Sequence, residues 1–103
     1  MLVSNDSLAD GFIDNFFISI TLGDAGAIQS FLARGVDANV MDANGNTALI
    51  IAAREGQVEI LRTLHMSGAK LNSKNQFGES ALMLAALNGH TQVVNTLLGL
   101  GAD

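Results

Sequence analysis

His65 and His90 are the residues of this chain best suited to proton transfer or metal binding, and they lie far apart in the sequence. Metal sites gather their ligands at short, fixed spacings, and a nucleophile needs its base within hydrogen-bond reach. Neither histidine has such companions. His90 reads as a polar residue at a helix start, and His65 as a partly buried helix position. Asp42-Ala43-Asn44-Gly45-Asn46 has a passing likeness to a calcium loop, but its glycine comes two positions too early and no glutamate closes it. An Asn-Gly turn accounts for that segment better. Gly23-Asp24-Ala25-Gly26 and Gly99-Leu100-Gly101 are too short and wrongly placed to cradle phosphate. The chain has no cysteine, so thiol and disulfide chemistry are excluded. No catalytic residue, cofactor or metal is expected, and the protein reads as a non-enzyme.

The elements that position these residues are written in glycines. Gly23, Gly56 and Gly89 recur at a period of 33 residues, and so do Gly35, Gly68 and Gly101. Self-similarity at such a period marks a stacked-repeat architecture. The same register pairs Gly45 with Gly78, Ala48 with Ala81, Leu49 with Leu82, Ala52 with Ala85, Ala53 with Ala86, Thr63 with Thr96, Leu64 with Leu97 and Ala69 with Ala102. The first unit is degenerate, keeping Ile18/Ile51 and Asn39/Asn72 beside its glycines. Three units result: 1–40, degenerate; 41–73; and 74–103, which ends without a polar terminal helix.

Asp14, Thr47 and Ser80 occupy equivalent positions, and each could cap a first helix. Ala48 to Ala53 and Ala81 to Ala86 follow, short apolar runs whose alanines let neighbouring helices approach closely. A second helix follows each glycine: Ala25 to Arg34, Val58 to Ser67 and Thr91 to Leu100. Ile28, Phe31 and Leu32, then Ile60, Leu61 and Leu64, then Val93, Val94, Leu97 and Leu98 form its apolar face. Asn- and Gly-rich segments between the units predict hairpin-like fingers. The fold class is all-α, a solenoid of antiparallel helix pairs with projecting hairpin or turn loops.

Ten acidic against five basic residues give a net charge of −5, and Asp6, Asp10, Asp14 and Asp24 all precede the first basic residue, Arg34. Neutralising phosphates needs a basic patch, so nucleic acid is not an expected partner. Phe12 to Leu22 is apolar, but it lacks a basic leader, contains Asp14 and Asn15, and is too short to cross a bilayer. The expectation is a soluble, cytoplasmic chain with no membrane partner.

Asp42-Ala43-Asn44-Gly45-Asn46-Thr47-Ala48-Leu49, Ala52-Ala53, Gly56, Ile60, Leu64 and Gly68-Ala69 resemble the ankyrin repeat. Gly78, Ser80-Ala81-Leu82, Ala85-Ala86, Gly89-His90, Val93-Val94, Leu97-Leu98 and Gly101-Ala102-Asp103 resemble it again. The family's Thr-Pro-Leu-His becomes Thr-Ala-Leu-Ile and Ser-Ala-Leu-Met, so the histidine that would link neighbouring fingers is absent. The resemblance implies that Ile50 and Met83 fill that space. His65 replaces a leucine, and Lys70 an acidic residue.

The resemblance implies a non-enzymatic module that binds another protein through its fingers and the concave face of its first helices. On matching positions these are Met41, Ala43, Asn44, Asn46, Arg54 and Glu55 in the second unit, and Lys74, Gln76, Phe77, Glu79, Leu87 and Asn88 in the third. Thr21 and Leu22 are partial equivalents in the first. Phe77, at Asn44's place in the turn, is the expected anchor unless its ring folds back over the finger. Arg54 comes next, unless it pairs with Glu55. The alternative is an assembly segment, or a piece of a longer array, that self-associates through its last repeat, where Val93, Val94, Leu97, Leu98 and Leu100 cannot all be covered.

Overall fold

A computed structural model describes the backbone of residues 3–103 and the side chains from residue 11 onward. Within these residues the chain forms α1 (Val3–Leu22), α2 (Ala25–Ala33), α3 (Ala48–Glu55), α4 (Val58–Met66), α5 (Ala81–Leu87) and α6 (Thr91–Leu100). Each unit contributes an antiparallel pair, and like helices stack on like. An inner row runs α1, α3, α5 and an outer row α2, α4, α6. The stack is elongated, with extents of 47 × 28 × 21 Å.

Burial follows from the stacking order. The middle inner helix lies between two neighbours, and every residue from Ala48 to Ala53 is buried. In α5, which has only α3 beside it in the inner row, burial reaches Ala81, Leu84 and Ala85. Alanine at these positions leaves room for the close interaxial approach of packed helices, about 8–10 Å. Ile50 is fully buried, as the space-filling role requires, but Met83 is half exposed, since among the described residues no further helix packs on it. Of the last helix's apolar residues, Val93 and Leu97 join the core while Leu98 faces solvent.

Thr47 and Ser80 cap α3 and α5: Thr47 Oγ1 accepts from the Ile50 amide and Ser80 Oγ from the Met83 amide, each at 3.2 Å. Asp14 does not cap. It lies exposed inside α1, which begins well before it. The cause is legible at a neighbouring position. Gly45 and Gly78 make their turns at φ of 78° and 76°, and their equivalent in the first unit is Phe12. A bulky side chain strongly disfavours that backbone. The helix therefore runs through, and Phe12 packs edge-on against Phe31 with ring centroids 5.0 Å apart. Phe16 meets the same ring at 5.7 Å, so aromatic packing replaces the missing finger.

The two fingers are turns, each closed by one antiparallel bridge, Met41 to Thr47 and Lys74 to Ser80. A Cβ at Gly45 would lie 3.0 Å from the Gln76 amide nitrogen, while one at Gly78 would meet nothing within 4 Å. Gly45→Ala is therefore expected to destabilise more than Gly78→Ala. The backbone penalty of about 1–2 kcal/mol is common to both, and only Gly45→Ala adds a collision. Urea denaturation of the two variants measures the difference, and equal losses would contradict the contact between fingers.

Candidate protein-binding surface

The fingertips are held by an aspartate in the first finger and an asparagine in the second. Asp42 Oδ1 accepts from the Asn44 and Asn46 amides, both at 2.9 Å. Asn75 does the same one unit on, its Oδ1 accepting from the Phe77 and Glu79 amides at 2.9 and 3.0 Å. Asn75 also donates through Nδ2 to Asn46 Oδ1 at 2.8 Å and to Glu79 Oε1 at 2.9 Å. The Gln76 amide donates to the Asn44 carbonyl at 3.1 Å, and Gln76 Nε2 to Asn44 Oδ1 at 3.3 Å. These bonds run directly from one finger to the next.

On this frame Met41, Ala43, Asn44, Lys74, Gln76 and Phe77 are exposed. Phe77 is 66% exposed, so its ring does not fold back over the finger. Asn46 is different. It is 6% exposed and its side chain is spent on Asn75 and on Asp42 Oδ2, which removes it from the accessible surface. Glu79 is half-buried and turned toward Asn75. Sequence reasoning missed Asn75, although its register with Asp42 and the Asx-turn habit of both residue types carried the signal.

Along the inner helices, Leu87 is 77% exposed and Leu22 and Thr21 are exposed as well. Arg54 is partly exposed and its Nε donates to Glu55 Oε2 at 3.1 Å, so the pair largely neutralises itself. Exposed pairs of this kind contribute about 0–1 kcal/mol, and a partner could exchange the bond at little cost. Asn88 is exposed, and its Nδ2 donates to the Leu84 carbonyl at 2.9 Å.

The histidines serve the stack. His90 is the N-cap residue of α6 and its Nε2 lies 2.8 Å from the Arg54 carbonyl oxygen, tying the third unit to the second. Its ring rests where any side chain on Gly56 would collide. His65 is half-buried and lines a shallow cavity of about 550 Å³ with Ala69, Lys70, Leu71, Asn72 and Ser73. That lining offers no carboxylate to pair with the imidazole. Among the described residues, no three His, Asp or Glu gather as metal ligands.

Behind the fingers, Asn39 accepts from the Lys70 amide at 2.8 Å and donates to the Gly68 carbonyl at 3.1 Å. Asn72 accepts from the Asp103 amide at 2.9 Å in the same way. Every junction between units is thus bonded as well as packed. A family model described as ankyrin repeats (3 copies) matches residues 16–103. The chain belongs to the ankyrin repeat family. No curated protein matches it individually. Ankyrin repeats are in general protein–protein interaction modules and not enzymes. In this ankyrin array the Asn46–Asn75 and Asn44–Gln76 bonds connect the fingers in the absence of the family's histidine. No helix among the described residues is long and apolar enough to cross a membrane.

Asn75→Ala is expected to cost about 1–3 kcal/mol, since it strands buried partners of a residue only 8% exposed. Thermal or urea unfolding measures it. A loss under about 0.5 kcal/mol, typical of neutral surface changes, would contradict the bracing role.

Proposed function

We propose that this protein binds another protein through the fingertips and the concave row of inner helices. The contact residues are Met41, Ala43, Asn44, Arg54, Glu55, Lys74, Gln76, Phe77, Glu79, Leu87 and Asn88, with Leu22 at the edge. The observation that carries the reading is an aromatic side chain held out to solvent on a finger that is itself hydrogen-bonded to its neighbour. Rigid presentation lowers the ordering cost of binding, and aromatic residues and arginine are enriched at protein interfaces. The favoured partner presents apolar groups, because the formal charges of Arg54, Glu55, Lys74 and Glu79 cancel and leave the surface nearly neutral. Nucleic acid does not fit, for want of clustered cations. A photo-cross-linking residue at Gln76 should capture the partner, while one at Arg62, on outer helix α4, should not. Capture from Arg62 alone would overturn the reading.

A further inference from the structure

Two asparagines of the chain are followed directly by glycine, in Asn44-Gly45 and Asn88-Gly89. Such a pair can react with itself, because no side chain shields the glycine amide nitrogen from the asparagine Cγ, and asparagine is a thermolabile residue. Both asparagines are exposed, so water reaches each. Their side chains are held in opposite senses. Asn44 Oδ1 accepts from Gln76 Nε2 at 3.3 Å, a donor aimed at the oxygen that gains negative charge when Cγ is attacked. Asn88 instead donates through Nδ2 to the Leu84 carbonyl at 2.9 Å, which leaves its own carbonyl unactivated and ties down the amide group that must depart. The two nucleophiles differ as well. The Gly45 amide sits in a fingertip turn, held by one bond to the Asp42 carbonyl at 3.0 Å. The Gly89 amide donates to the Ala86 carbonyl at 3.1 Å, between the Asn88 and His90 amides, which are bonded to the Leu84 and Ala85 carbonyls at 3.1 and 2.9 Å. Freeing it means unwinding the end of α5.

We propose that Asn44 is a site of spontaneous deamidation, assisted by Gln76 Nε2, and that the reaction unlocks one finger from the next. The Gly45 amide loses its proton to solvent hydroxide and its nitrogen bonds to Asn44 Cγ. The Cγ–Nδ2 bond then breaks, and Nδ2 takes up a proton and leaves as ammonia. The product is a five-membered succinimide. Water opens that ring at either carbonyl, giving aspartate at position 44 or an isoaspartate whose main chain runs through the former side-chain carbon. Nothing is oxidised or reduced, and one water is consumed for each ammonia released. Either product adds a negative charge to a chain of net charge −5. The isoaspartate also lengthens the finger by a methylene where the Asn44 carbonyl accepts from the Gln76 amide at 3.1 Å. A Cβ on Gly45 would already lie 3.0 Å from that amide nitrogen, so the fingers have no slack to absorb the added length and the bonds between them break.

Peptide mapping by mass spectrometry during incubation at mildly alkaline pH reads the exchange of ammonia for water at each asparagine. In the folded chain Asn44 should convert about tenfold or more faster than Asn88. In urea, where neither side chain is held, the two should convert at similar rates. Gln76→Glu replaces the Nε2 donor with an acceptor and keeps the backbone bond to Asn44, so it should slow Asn44 several-fold and leave Asn88 unchanged. The converted chain, separated by ion exchange on its added charge, should unfold at lower urea than fresh protein. Asn44→Gln carried through the same incubation should keep its starting stability. Asn88 matching Asn44 in the folded chain, Asn44 intact when the urea-unfolded chain has reacted, an Asn44 rate indifferent to Gln76→Glu, or a converted chain as stable as the fresh one would overturn the proposal.

Discussion

Leu64→Ala is expected to cost about 2–5 kcal/mol of stability, the range for truncating a fully buried leucine. Leu64 is fully buried on the inward face of α4, and α4 touches α3, α2 and α6. A cavity there loosens the junctions on both sides at once. Against a total stability of about 5–15 kcal/mol for a domain, such a loss moves the urea midpoint far. Met66→Ala is the control two residues along the same helix. Its side chain is 85% exposed, and the expected change is within about 0.5 kcal/mol. Comparable losses for the two would contradict the helical register of the outer row.

Phe77→Ala is expected to weaken partner binding by about 2 kcal/mol or more, roughly thirtyfold in Kd, with little change in folding stability. The separation of the two effects follows from the finger's construction. Its turn is held by the Asn75 side chain and by backbone bonds to Asn44 and Glu79, none of which uses the phenyl ring. Titration calorimetry against the cross-linked partner, with denaturation run alongside, reads both quantities. Unchanged affinity would remove Phe77 from the interface.

Much of this arrangement is legible in the sequence because it repeats. The glycine period places the units, and Thr47 and Ser80 mark the starts of α3 and α5 through a capping preference that acts locally. The outer helices fall within a residue of their expected ends because positive-φ glycines bracket each of them, Gly23 and Gly35, Gly56 and Gly68, Gly89 and Gly101. Asp14 misled because a cap works only at a helix terminus, and whether one exists there depended on Phe12, where a left-handed turn would have needed glycine. Met83 misled differently. Its composition matches Ile50, but burial depends on which helix comes next, and local sequence does not encode that. Of the surface, the exposed fingertip positions could be read from register. Asn46 could not, because its burial depends on a bond to Asn75 in another unit.

The measurement that tests the account most directly is amide hydrogen exchange of the protein alone and bound to its partner. Binding through fingers and concave face should slow exchange in 41–46, 74–79 and the exposed ends of α3 and α5 near Arg54 and Leu87, leaving the outer helices α2, α4 and α6 unchanged. Protection confined to those outer helices, with the fingers exchanging as in the free protein, would contradict it.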